Sequence, residues 1–186
     1  MKPLESLDRR HLNAAIAWLE LGSKNHREAK EELWQMNSCC RTHPRFLHIW
    51  WHICTRAGDW DTCLEIAKQR IHVRPDDGDN WSDLSHTLHR MNRTKEALDS
   101  LLAVADKFPQ SDLIPHNLAC YLCVLGRVDE ARNWLWQALK AATRKGQGRK
   151  RFQSALDDPE LKPLQPDLRS LSATKLLLPS DVGNVN

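Results

Sequence analysis

The sequence lacks the features that mark several protein classes. No run of apolar residues reaches the roughly eighteen that a membrane-spanning helix needs, and residues 1–10 contain no apolar signal-peptide core. Only seven of the 186 residues are glycine, and none of these belongs to a phosphate-binding loop. The serine elbow of hydrolases is missing as well. We therefore expect a cytoplasmic protein that is not an enzyme and has no catalytic residues.

An excess of charge of one sign is also lacking. Lysine and arginine total 27 and aspartate and glutamate total 24, which gives a net charge of +3. This excess is too small to indicate nucleic acid as the main partner. One basic run, RKGQGRKR at 144–151, contains no aromatic residue that could stack on bases. We expect neither nucleic-acid binding nor membrane binding.

Valine and isoleucine are scarce, which favours helices over sheets. The six cysteines include an adjacent pair, Cys39 and Cys40, and others fall within helical patterns. Because disulfides are rare in cytoplasmic proteins, we expect reduced thiols. Eight tryptophans stand against one tyrosine, and most of these tryptophans fall at positions that predict burial.

Similar strings recur along the chain at a constant step of 34 residues, at 58–67, 92–101 and 126–135. The small residues that share this register are Ala29, Cys63, Ala97 and Ala131. The residues five positions before them are Lys24, Gly58, Asn92 and Gly126. Glycine and asparagine tolerate the left-handed conformation that ends a helix, so three of the four units are predicted to turn there. Apolar residues upstream of each turn follow a helical period, so each unit predicts a helix, a turn and a second helix.

This pattern resembles the tetratricopeptide repeat (TPR) family. The residues that match its signature best are Trp81, Leu84, Ser85, Leu88, Ala97, Leu101, Val104 and Pro109. The second unit departs from the signature, because Trp51 and Arg70 stand where the family has small residues. Strings at 17–22, 41–44, 114–131 and 155–164 are also similar to those of small bacterial proteins of this family whose role is unassigned.

The resemblance implies an all-α fold, a right-handed α-solenoid of about four helix-turn-helix repeats with a C-terminal capping helix. The predicted hairpins span 8–143, with units near 10–43, 44–75, 78–109 and 111–143. A basic connection and the capping helix, near 149–158, are predicted within 144–164. We expect the segment 165–186 to be mostly disordered.

The first helix of each unit lines a concave groove in this family. The resemblance therefore implies a partner-binding groove made of the residues of these helices that do not face the core. They are Trp18, Arg45, His48, His52, Asp79, Asp83, His86, His89, Arg90, His116, Asn117 and Cys120. Cys123 falls on the same face, and histidine is concentrated there.

Three interpretations of this face stay open. It can be a solvated polar surface, because histidine is tolerated in helices. It can bind a partner through imidazoles, Arg45, Arg90 and Asn117, and the imidazoles would then gain charge gradually as the pH falls from about 7 to 5. It can also hold a metal ion or support redox chemistry, because it contains pairs of potential ligands about one helical turn apart. These pairs are His48 with His52, His86 with His89, and Cys120 with Cys123.

We favour a non-enzymatic adaptor or scaffold that holds a peptide or helix of a partner protein in the groove. It would use no cofactor and no bound metal. A metal-binding or redox protein that uses the groove histidines and cysteines is the alternative.

Overall fold

The structure is a computed structural model, and it describes residues 3–173. Within this range the chain forms α-helices and short 3-10 segments and no strand, which confirms the predicted all-α class. The helices are α1 (Ser6–Leu21), α2 (His26–Trp34), α3 (Pro44–Ala57), α4 (Trp60–Val73), α5 (Gly78–Arg90), α6 (Thr94–Leu102), α7 (Leu113–Val124), α8 (Val128–Arg144), α9 (Gly148–Asp157) and α10 (Gln165–Ala173).

The described residues divide into two compact units, one up to Asn92 and the other from Arg93. In the first unit α1 packs against α2, α3 against α4, and α4 against α5. In the second unit α7 packs against α6 and α8, and α9 packs against α8. A 3-10 segment, Pro159–Leu164, follows α9 and lies against α7.

The predicted left-handed turns occur at three of the four positions. Gly58, Asn92 and Gly126 have φ angles of 73°, 61° and 77°. After Gly58 and Gly126 the next backbone N–H donates back into the preceding helix, over 3.0 Å and 2.8 Å. This bond satisfies a carbonyl that the helix end would otherwise leave unpaired. The turn before α2 differs, because a 3-10 segment, Ser23–Asn25, joins it to α1.

The small residues of the 34-residue register lie in the interior. Ala29, Cys63, Ala97 and Ala131 are all 0% exposed. One helical turn later, Leu33, Ala67, Leu101 and Leu135 are also buried. The repeat therefore marks the face of each second helix that packs against its neighbours.

The segment that follows α8 is held by a buried carboxylate. Asp112, just before α7, accepts hydrogen bonds from Lys145 Nζ over 2.6 Å and from Arg151 Nε over 2.9 Å. Apolar side chains from this segment, Ala155, Leu161 and Leu164, are buried as well. Charge pairing and apolar burial together hold this part of the second unit in place.

The structure differs from the sequence-based expectation over 165–173, which form α10 rather than a disordered tail. Leu168 is buried against α8, and Asp167 accepts a hydrogen bond from Arg132 Nε over 2.7 Å. These partners lie more than thirty residues earlier in the chain, so the local polar composition gave no sign of them. Residues 174–186 of the same predicted tail lie outside the described residues.

Asp112 offers a test of this packing. Burial raises the pKa of its carboxyl group, but the bonds from Lys145 and Arg151 outweigh burial and hold the pKa below its ordinary value. The carboxylate therefore stabilises the folded state at neutral pH, and this contribution is lost as the pH falls below about 4. We expect Asp112→Ala to lower the free energy of unfolding by about 2 kcal/mol at pH 7, between the values of exposed and buried pairs.

Chemical denaturation of both proteins at pH 7 and at pH 3 measures this difference. Asp129→Ala is the matched control, because Asp129 pairs with Arg132 but its side chain is 94% exposed. Its replacement should change the free energy of unfolding by less than about 1 kcal/mol. Equal losses in the two variants would contradict the anchoring role of Asp112.

Candidate functional site

A cleft of about 400 Å³ opens in the first unit among α1, α3, α4 and the start of α5. Its apolar lining includes Ile16, Ile49 and Val73. Its polar lining includes three of the predicted groove residues, Arg45, His48 and Asp79, together with Arg70, Arg74, Asp77 and Asn80. The cleft therefore combines an apolar surface with side chains of both charges.

Arg45 and His48 reach the cleft because of the way α3 begins. Pro44 occupies the first turn, where its missing N–H costs no hydrogen bond, and His43 Nδ1 accepts a hydrogen bond from the backbone N–H of Arg45 over 3.2 Å. The Arg45 side chain is exposed, and no ion pair to it occurs within residues 3–173. Its guanidinium group is thus available to an external carboxylate.

The unexpected large residues of the second repeat, Trp51 and Arg70, are used to attach α5. Arg70 is 6% exposed and forms an ion pair with Asp83 of α5. Trp51 donates from its indole Nε1 to Thr87 Oγ1 over 3.1 Å. Asn80 donates to the carbonyl of Arg70 over 3.0 Å. Each large side chain has a polar partner on α5, so the departure from the family pattern is compensated within this unit.

Burial and the Arg70–Asp83 pair shift the pKa values of several titratable groups at and near the cleft. Burial raises the pKa of Asp83 to about 7, although Arg70 acts to lower it. Burial, then His48 and the arginines Arg70 and Arg56, lower the pKa of His52 to about 4. Desolvation and Arg70 also lower the pKa of His48. The His52 ring therefore stays neutral over most of the range from about pH 7 to 5, in which the sequence predicted gradual protonation, and the pKa of His48 shifts in the same direction.

The other predicted groove residues of the first unit lie among aromatic side chains. The rings of His48 and His52 meet edge to face with centroids 4.5 Å apart, and the His52 ring lies 5.1 Å from Trp51. Arg90 stacks over Trp60 at 5.2 Å, and His86 lies 6.2 Å from the same ring. Two further members of the predicted set are Trp18, which is 36% exposed, and His89, which is half-buried.

The second unit places the remaining predicted groove residues differently. His116 and Cys120 are 5% and 4% exposed and do not line an open surface, while Asn117 is half-buried. The reason is that the segment Pro159–Leu164 packs against α7. Asp158, just before this segment, brings its Oδ2 atom to 3.3 Å from His116 Nε2 and to 3.4 Å from Cys120 Sγ. Sequence reasoning missed Asp158, which lies 38 residues after Cys120 and outside the repeat register.

The structure also bears on the predicted ligand pairs. Among residues 3–173, the one group of three histidine, cysteine or carboxylate side chains whose ligand atoms come within 4.8 Å of one another is His116, Cys120 and Asp158. The histidine pairs of α3 and α5 do not gain a third ligand in that range. All six cysteines are free thiols.

Several solved structures, including the following two, are similar to this chain. One is TTC0263, a thermophilic TPR protein of Thermus thermophilus, with a TM-score of 0.57 and 18% identity over 92% of this chain and 100% of that one. The chain has the TPR fold. The other is MamA (MSR-1 C2), with a TM-score of 0.57 and 16% identity over 73% of this chain and 76% of that one. No protein-family model matches the chain, and no curated protein matches its sequence.

These similarities support the TPR fold but identify no partner, because binding depends on the residues of the site. Within the described part of the chain, no helix of this TPR fold is both long enough and apolar enough to span a bilayer.

His52 provides a test of the electrostatics in the first unit. Its pKa is about 4 in the folded chain and about 6.5 when unfolded, so folding favours the neutral ring. This preference stabilises the folded state at pH 7 and is lost as the pH falls from about 6.5 to 4. We expect an NMR titration to give a midpoint near 4 for the His52 ring.

The free energy of unfolding of the native chain, relative to that of His52→Gln, should decrease as the pH falls over the same range. Because both proteins contain Asp83, its opposite contribution largely cancels in this difference. The control is His72→Gln, which replaces an exposed histidine of α4. A His52 midpoint near 6.5 would contradict the lowered pKa.

Proposed function

We propose that the chain is a non-enzymatic adaptor in which the cleft of the first unit binds an extended segment of a partner protein. The observation that carries this proposal is the exposed guanidinium group of Arg45, which has no ion pair among residues 3–173 and lies beside the apolar lining of the cleft. The TPR fold supports the proposal in general terms, because repeat proteins use such surfaces for binding. A cytoplasmic location remains part of the proposal.

The chemistry of the cleft defines the kind of segment that fits. Ile16, Ile49 and Val73 offer apolar surface to an aliphatic side chain, and Arg45 offers two parallel donors to a carboxylate. Arg74 can assist, because its side chain is 54% exposed and its ion pair with Asp77 is long, with Nη2 3.5 Å from Oδ2. We therefore propose a partner segment that contains both apolar and acidic side chains.

The lowered pKa of His48 favours the neutral form of its ring at this surface. A neutral imidazole donates and accepts hydrogen bonds but does not attract an acidic segment by charge. The affinity for the partner should thus depend on arginine rather than on histidine charge. Binding should therefore change less between pH 7.5 and 5.5 than it would in a groove whose histidines have ordinary pKa values.

Fluorescence anisotropy with short labelled peptides of alternating leucine and aspartate tests the proposal. These peptides should bind the native chain, and added salt should weaken binding. Arg45→Ala should lower the affinity roughly tenfold or more, because a hydrogen bond to a charged group contributes about 1.5–3 kcal/mol. Peptides with asparagine in place of aspartate should show a similar loss against the native chain.

Arg10→Ala is the matched control variant, because Arg10 is an exposed arginine of α1. It removes one positive charge without changing the lining of the cleft. Equal affinities of the two arginine variants, or equal binding of the aspartate and asparagine peptides, would show that the cleft does not recognise carboxylates.

A further inference from the structure

A buried polar cluster lies on α7 in the second unit. His116 and Cys120 are one helical turn apart and face the same side of the helix. Leu118 and Ala119, between them in sequence, are 0% exposed. Burial of polar side chains in such surroundings is unfavourable unless each polar atom has a partner.

The position of Asp158 completes the cluster. Its Oδ1 atom accepts a hydrogen bond from the backbone N–H of Glu160 over 2.9 Å, which fixes the carboxylate at the start of the segment Pro159–Leu164. Its Oδ2 atom therefore points to His116 Nε2 and Cys120 Sγ. The Asp158 side chain is 24% exposed, so this side of the cluster is open to solvent.

A closed hydrogen-bond network does not account for the cluster. The 3.3 Å separation of His116 Nε2 and Asp158 Oδ2 is longer than the usual 2.7–3.2 Å of an N–H···O bond. His116 Nδ1 is buried without a hydrogen-bond partner among the described residues. An ion at Nε2 would leave Nδ1 to hold the ring proton, so it is the arrangement of Nε2, Cys120 Sγ and Asp158 Oδ2 that points to a metal.

The separations suit atoms that surround a metal ion. Bond lengths of about 2.0–2.3 Å place the ligand atoms of a tetrahedral zinc ion roughly 3.3–3.8 Å apart. Two of the three separations in the cluster are 3.3 Å and 3.4 Å, and all three ligand atoms lie within 4.8 Å of one another. Small side-chain movements would bring them to a common ion.

We propose that His116, Cys120 and Asp158 bind a divalent metal ion of borderline softness, such as zinc, with a water molecule at the open side near Asp158. One nitrogen, one sulfur and one oxygen ligand suit zinc better than magnesium or calcium, which prefer oxygen. On binding, the Cys120 thiol releases its proton to solvent, and the His116 ring binds through the Nε2 lone pair with its proton on Nδ1. Thiolate and carboxylate then balance the two positive charges of the ion, which permits burial.

This proposal departs from the sequence-based expectation of no bound metal. It also differs from the predicted alternative, because it uses Asp158 and leaves out Cys123 and the histidine pairs of α3 and α5. The ion would connect α7 to the segment after α9. Since the unfolded chain does not hold these three ligands together, metal binding should stabilise the folded chain.

Titration of the metal-free full chain with Co²⁺, under reducing and oxygen-free conditions, tests the site. We expect one cobalt ion per chain, a thiolate-to-cobalt charge-transfer band in the near ultraviolet, and loss of the band when Zn²⁺ is added. Zn²⁺ should also raise the Tm. Cys120→Ser should abolish the band while leaving the helical circular dichroism unchanged.

Asp158→Asn provides a second variant that should fold normally, because asparagine also caps a helix well. It should weaken Co²⁺ binding by roughly 10- to 100-fold or more. Losses of that size follow the replacement of residues that only hydrogen-bond to a metal's ligands, and Asp158 would be a ligand itself. It should also abolish most of the Zn²⁺-dependent rise in Tm. Cys123→Ser, on the same helix, and Cys39→Ser, at an exposed thiol, are the matched controls.

Three results would overturn the proposal. One is the absence of a charge-transfer band in the native chain. Another is a band that persists in Cys120→Ser or disappears in Cys39→Ser, which would place the ion at a surface thiol. The third is equal metal affinity of the native chain and Asp158→Asn.

Discussion

Close packing at four small residues is the constraint on which the rest of the structure depends. Ala29, Cys63, Ala97 and Ala131 are completely buried, and a larger side chain at any of them would have to displace a neighbouring helix. Two of the helices that contain them, α2 and α6, are only nine residues long. Helices this short are marginal in water when isolated, so they form because tertiary contacts bury one of their faces.

The candidate cleft arises where the second repeat departs from this pattern. A buried arginine at position 70 needs a charged partner, because an unpaired buried charge is strongly destabilising. Asp83 provides that partner when its carboxyl group is ionised, and the pair fixes α5 beside α4. The arginine at position 45 has no such partner among residues 3–173, which leaves its charge available at the cleft. Whether an arginine is structural or available for binding therefore depends on its partners and not on its residue type.

The two units present different chemistry on the same kind of helical scaffold. The first has an open cleft with apolar and charged lining, and the second has a closed cluster of three potential metal ligands. The adaptor proposal and the metal proposal rest on separate residues. A helical-repeat fold is compatible with both, since function depends on the side chains that each surface carries.

The sequence by itself determined the helical class, the 34-residue repeat and the left-handed turns at Gly58, Asn92 and Gly126. These features follow from local conformational preferences and from a spacing that recurs along the chain, so the sequence alone is enough to predict them. The sequence also predicted that Arg45, His48 and Asp79 are exposed on first helices, and the structure places all three at the cleft.

Only the tertiary structure decided the environment of each polar residue. His116 and Cys120 occupy the same repeat positions as exposed groove residues, yet a segment about forty residues later covers them and adds Asp158. The ordering of α10 depends in the same way on Arg132 and the apolar face of α8. Burial and pairing of this kind depend on contacts between distant parts of the chain, which no repeat or local pattern encodes.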